Sequence, residues 1–190
     1  SARGPSGPPL ESFKASHFFA FVDPSNPIDY SINKENITVT KVRIITTERK
    51  EKVFVDVEDY ISKSIGLPKP DGVLYTYLQI SLGRIPNSVV ALVEIEFYVE
   101  EKWMQDNYIT AENIKLLKFN DVSWEDVETE PYLLTGGKQY FKSSTDGLSH
   151  FAIVGFPSSV PSPTDEAEPT TEEPAQPAPT SPTIEGEPQP

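Results

Sequence analysis

The sequence predicts an all-β chain: an antiparallel β-sandwich with one short helix, followed by a disordered tail rich in Pro, Thr and Glu. Three observations point to it. Apolar and polar residues alternate at a period of two, Gly, Pro, Asn and Asp punctuate the chain at short intervals, and apolar content collapses from Ser158 onward. The domain limits follow: a linker over 1–12, a sandwich over 13–157 and an acidic Pro/Ser/Thr-rich stalk over 158–190.

"GPSGPP" (Gly4 to Pro9) opposes both helix and ladder, so folded sequence is expected from Phe13. "HFFAFV" (His17 to Val22) is a short strand apolar on both sides, and "DPSNP" (Asp23 to Pro27) is a turn. In "NITVTKVRIITT" the apolar phase slips between Ile37/Val39 and Val42/Ile44, which predicts a bulge near Thr40 or Lys41. "KVFVDVEDY" places Val53, Val55 and Val57 on one face. "VLYTYLQISL" reads as a strand with Leu74, Leu78, Ile80 and Leu82 on one face.

"VALVEIEFYVE" is the clearest strand, with Ala91, Val93, Ile95, Phe97 and Val99 inward and Glu94 and Glu96 outward. "EEKWMQDN" has good helix formers and no β-branched residue, so one or two helical turns are expected over 100–107. "NIKLLKF" returns to strand and Trp124 opens a further one. "TGGK" (Thr135 to Lys138) is a hairpin signal, because paired glycines accept the positive φ of a tight turn. "STDG" is another turn, and "SHFAIVGF" closes the domain. The total is eight or nine short strands.

The chain has 190 residues, 37% hydrophobic, enough for one domain with a core. The stalk holds nine Pro and seven acidic residues with no Lys or Arg, and it supplies seven of the thirteen excess negative charges. Such a segment cannot bury enough surface to offset its chain entropy. Nucleic acid is excluded as a partner, since no cluster of Lys and Arg could neutralise phosphates. Cysteine is absent, so disulfides and thiolate metal sites are excluded too. No apolar run approaches the roughly 20 residues of a membrane span. Because the chain begins with Ser, we expect a processed or excised piece of a longer protein.

Chemistry is sparse, and no enzymatic activity, metal or cofactor is expected. His17 and His150 would need carboxylates from elsewhere to hold a metal. Acids cluster at Asp56, Glu58 and Asp59, at Glu94 and Glu96, and at Asp121, Glu125, Asp126, Glu128 and Glu130. Paired acids can run glycoside hydrolysis or bind calcium. Glu94 and Glu96 read instead as solvated surface, and the Asp121 group lacks the Asp-x-Asp-x-Gly pattern of a calcium loop. Phosphate-cradling loops and a Gly-x-Ser-x-Gly elbow are missing. Asn36-Ile37-Thr38 is a glycosylation sequon, and the stalk hydroxyls offer O-glycan sites.

Taken in order, "GVLYTYLQISL" (Gly72 to Leu82), "ALVEIEFYVEEKWMQDN" (Ala91 to Asn107), "NIKLLKFND" (Asn113 to Asp121), Trp124 and "GLSHFAIVGF" (Gly147 to Phe156) resemble the PGF-pre-PGF domain of archaeal surface proteins. The resemblance covers 72–156. Leu148 stands where the terminal motif carries an aromatic, and Phe119 where Tyr is common. The resemblance implies an exported archaeal cell-surface, surface-layer-associated protein, tethered through a sorting signal and apolar segment handled by an archaeosortase. Neither is present up to Pro190, so any membrane contact is expected only through an anchor in a longer precursor. It brings no catalytic residues, and Trp103, Trp124, Phe151 and Ile153 are expected as structural core.

The leading expectation is a non-enzymatic structural or spacer module held off the cell by the stalk, with other surface-layer or envelope proteins as partners. A second is a carbohydrate- or protein-binding sandwich, with Tyr75, Tyr77 and Tyr98 outward to stack on glycans. A third is a subunit of a surface assembly that donates the stretch Leu10 to Val22 as a strand to a neighbour.

Overall fold

The computed structural model describes residues 12–60, 66–83 and 85–158. The linker proposed over 1–12 lies outside them except for Ser12, and the stalk except for Ser158. Eleven strands form among the described residues: β1 (Ser12–Val22), β2 (Ile28–Ser31), β3 (Val39–Thr46), β4 (Lys50–Tyr60), β5 (Val73–Leu82), β6 (Val90–Glu100), β7 (Ile114–Phe119), β8 (Trp124–Val127), β9 (Thr129–Thr135), β10 (Lys138–Thr145) and β11 (His150–Gly155). One α-helix, α1 (Glu101–Asp106), and two 3-10 turns complete the set.

The strands make two sheets, ordered β1-β4-β5-β11-β7-β8 and β2-β3-β6-β10-β9, and every pairing is antiparallel. The core lies between them. Val53, Val55 and Val57 of β4 and Val93, Ile95, Phe97 and Val99 of β6 are buried without exposed surface, as are Phe151 and Ile153 of β11. Phe97 stacks on Phe141 with ring centroids 5.3 Å apart. Each such side chain contributes roughly 1.5 to 3 kcal/mol on burial.

Bulges reset the faces at four places. Thr40 is the extra residue between Val39↔Phe97 and Lys41↔Glu96, where the slipped apolar phase predicts one. Ala91 is the extra residue between Ile45↔Leu92 and Thr46↔Val90, so it is exposed, contrary to its expected inward place. Tyr75 is skipped between Ile153↔Thr76 and Val154↔Leu74, and Tyr132 between Tyr140↔Leu133 and Phe141↔Pro131. An extra residue reverses the inward and outward phase on one side of it. Leu74 thus leaves the face of Leu78, Ile80 and Leu82 and joins a second cluster.

That second cluster lies on the outer face of the six-stranded sheet: Tyr77, Leu117, Ala152 and Val154, with Leu74, Tyr60 and Trp124 against it. The stretch 66–72 reaches it, since Trp124 Nε1 donates to the carbonyl of Pro68 at 2.7 Å. Trp124 therefore belongs to this outer cluster and not to the core between the sheets, where it was expected. Trp103 of α1 packs on the main core, edge-on to Tyr75 at 4.9 Å.

The β9–β10 hairpin turns through Gly136 and Gly137 at φ of 58° and 74°, values that favour glycine. β1 is longer than its apolar stretch suggests, and it pairs with β4 of its own chain from Ser12↔Tyr60 to Val22↔Lys50. The segment proposed as a donated strand is thus, over its described part, an edge strand of its own sheet.

Candidate functional site

The tyrosines read as one binding face lie on three different surfaces. Tyr75 points between the sheets, where its hydroxyl accepts the Glu100 N–H at 3.3 Å and burial pushes that hydroxyl well above its ordinary pKa. Tyr77 points to the outer face of the six-stranded sheet and is 2% exposed beneath Trp124, the rings 5.9 Å apart. Tyr98 lies on the outer face of the other sheet, 8% exposed, with the Lys138 ammonium 3.8 Å above its ring and its hydroxyl donating to the Glu35 carbonyl at 3.4 Å. No sugar could stack on all three. The physical reason is local: the bulge at Tyr75 sends neighbouring tyrosines to opposite faces, and Trp124 and Lys138 cover the outer two.

The histidines are also apart. His17 on β1 stacks on Tyr30 at 5.2 Å, whereas His150 pairs with Gln79 at the start of β11. Among the described residues no group of three or more His, Asp or Glu is placed to hold a metal ion.

The acids divide by face. Asp56 pairs with Lys14 at 3.0 Å and accepts from Ser16 at 2.5 Å, and Glu58 accepts from Ser12 and Tyr60. Asp59, the next inward position after Val57, is 3% exposed and accepts from the Thr38 amide at 2.8 Å and from the Thr76 hydroxyl. Glu94 pairs with Arg43 at 3.1 Å, and Glu96 accepts from the Tyr132 hydroxyl at 2.9 Å. These lie along an open groove of about 480 Å³ on the five-stranded sheet, which Lys41, Glu130 and Lys142 also line. Exposed pairs of this kind are worth little individually. Asn36 is exposed in the turn before β3, while Ile37 and Thr38 of its sequon are buried.

What the alternation does not reveal is the apolar surface left outside. Phe18 and Phe54 meet on the outer face of β1 and β4 with centroids 5.0 Å apart. Tyr132, Leu133 and Leu134 stand exposed in succession along β9. The available signal was "PYLLT", three large apolar residues running straight into a tight hairpin, a pattern with no solvated face. Neither models of protein families nor curated proteins give a match to this chain.

Proposed function

We propose that the chain is a non-enzymatic structural or spacer module of an archaeal cell-surface, surface-layer-associated protein, held away from the cell by the stalk of residues 158–190. One observation carries most of the weight. Of the segments that resemble the PGF-pre-PGF domain, four lie on strands that are neighbours in one sheet, β5-β11-β7-β8. A fifth segment supplies β6 and α1, and α1 joins that sheet through Trp103 on Tyr75. The segments that carry the resemblance thus span both sheets, with four of them on neighbouring strands of one.

A spacer must hold its shape without a ligand. Two antiparallel sheets closed over a continuous apolar core fit that need, because Val53, Val55 and Val57 of β4, Val93, Ile95, Phe97 and Val99 of β6 and Phe151 and Ile153 of β11 add to one packed body. The test is cellular. Protease added to intact cells of the source organism should remove the protein, and the envelope fraction should contain it. Full protection until the cells are lysed, with the protein in the soluble cytosolic fraction, would end the proposal.

A second reading, binding of another protein, is favoured by the exposed apolar residues of β9. Carbohydrate stacking on Tyr75, Tyr77 and Tyr98 has lost its surface.

A further inference from the structure

Four strands border the sheets: β1 and β8 on one, β2 and β9 on the other. An edge strand offers unpaired backbone N–H and C=O groups to any extended chain, and proteins blunt such edges with brevity, charge, proline or cover. β2 is four residues long, with Asp29 paired to Lys41 at 3.1 Å. β8 is equally short and carries Glu125 and Asp126. β1 is long, but the Lys34 ammonium donates to the Lys14 carbonyl on it at 2.9 Å, and the Arg49 guanidinium lies 4.4 Å over the Phe21 ring.

β9 is blunted in its first half by Glu130 and Pro131, and beyond them the Lys142 ammonium lies 4.6 Å over the Tyr132 ring, leaving Leu133 and Leu134 uncovered. Its second half, Tyr132 to Thr135, has no charge and no proline, and Tyr132, Leu133 and Leu134 are 43%, 45% and 56% exposed. Beyond the bulge at Tyr132, Leu133 and Leu134 face opposite ways, so both faces of this edge are apolar. The chain leading into it is acidic, with Asp121, Glu125, Asp126, Glu128 and Glu130 and no Lys, Arg or His between Asn120 and Gly137, and these five acids outnumber the two lysines of the neighbouring β10, Lys138 opposite Thr135 and Lys142 opposite Glu130. β8 and β9 are joined by Glu128 alone, so both edges border the same side of the sandwich.

We propose that β9 accepts, by strand addition at Tyr132–Thr135, an extended segment of a partner protein in which Lys or Arg alternates with apolar residues. Main-chain hydrogen bonds would supply the affinity, Leu133 and Leu134 the apolar contacts on the two faces, and Glu128 and Glu130 the partner's cations. A second copy of this chain is the poorer occupant. Antiparallel self-pairing centred on Leu133 would match Tyr132 with Leu134, yet it would also bring two runs of five acids together on a chain of net charge -13.

The test is titration of the full 190-residue chain with a short capped peptide alternating lysine and valine, read by backbone amide hydrogen exchange. Two controls accompany it: the peptide with glutamate for lysine, and the lysine peptide with alternate amides N-methylated, which keeps the charge and removes the donors. The lysine peptide should slow exchange at Tyr132–Thr135 and bind at least about tenfold more tightly than either control, more weakly as salt rises. Leu134→Pro should abolish that protection, and Glu128→Lys with Glu130→Lys should weaken binding, each variant melting cooperatively. Four results would overturn the proposal: no protection of β9 at millimolar peptide, equal binding of a control, protection that survives Leu134→Pro, or sedimentation showing the free chain already dimeric with β9 protected.

Discussion

Asp59 and Thr38 are joined across the sandwich: the Thr38 amide, just ahead of β3 in one sheet, donates to Asp59 Oδ2 on β4 of the other at 2.8 Å. Thr76 of β5 donates to the second oxygen. A carboxylate placed where the pattern of Val53, Val55 and Val57 calls for another apolar residue thereby ties the turn that carries Asn36 to the body of the domain.

That position makes stability depend on pH. Burial is the largest influence on Asp59 and raises its carboxyl above the ordinary value, outweighing the hydrogen bonds from Thr38 and Thr76 that act to lower it. A carboxyl whose folded value is raised contributes stability in full below its unfolded value of about 3.9, and that contribution is lost as pH rises through the folded value. Asp59→Asn should therefore gain on the natural protein as pH climbs from about 4 towards neutrality. Melting temperatures of both proteins across that range test it, and a gap that stays constant would contradict it.

Gly155 packs its bare α-carbon against Ile109, where a Cβ would stand 2.5 Å from Cδ1 and 2.9 Å from Cγ2. Gly155→Ala should destabilise by about 1 to 3 kcal/mol, the usual cost of overfilling a packed site. Ile109→Ala in the same chain should recover part of that loss by vacating the space. Denaturant unfolding of the two single variants and the double variant measures the coupling.

Trp124→Phe removes the hydrogen bond from Nε1 to the Pro68 carbonyl while keeping an aromatic ring over Tyr77. Amide exchange should accelerate over residues 66–72, with the core strands β4 and β6 unchanged. A uniform acceleration through both sheets would mean that the outer cluster supports the whole domain.

The last described residues are tied to the body of the domain. The Ser158 amide donates to the Tyr108 carbonyl at 3.0 Å, and its hydroxyl accepts from Asn113 Nδ2 at 3.1 Å. A chain ending at Ser158 should melt like the full chain, and one ending at Gly155 should melt lower, having lost Phe156 and both Ser158 contacts.

The strands were legible where one face is buried and the other solvated. Val53 to Val57 and Val93 to Val99 announce themselves by strict alternation, and the slip between Val39 and Val42 announces the bulge at Thr40. The bulges at Tyr75 and Ala91 were hidden because both faces there carry residues that tolerate burial, so a shifted phase leaves a plausible pattern. Those shifts misplaced Leu74, Ala91 and Tyr75, whereas Tyr77 and Tyr98 do face outward, on different sheets and under Trp124 and Lys138. Trp124 was misread for a related reason, since composition reports that a large ring will be covered but not which layer covers it. Nothing local distinguishes a sheet's covered back from its core.

The two chain directions out of the sandwich differ in how firmly they are held. β11 is flanked by β5 and β7, whereas β1 has β4 as its sole neighbour in the sheet. If the molecule is stretched between its ends, the pull reaches a strand gripped on two sides at one end and a border strand at the other. Unravelling would begin at Ser12 and spread inward, leaving β11 as the last to give way.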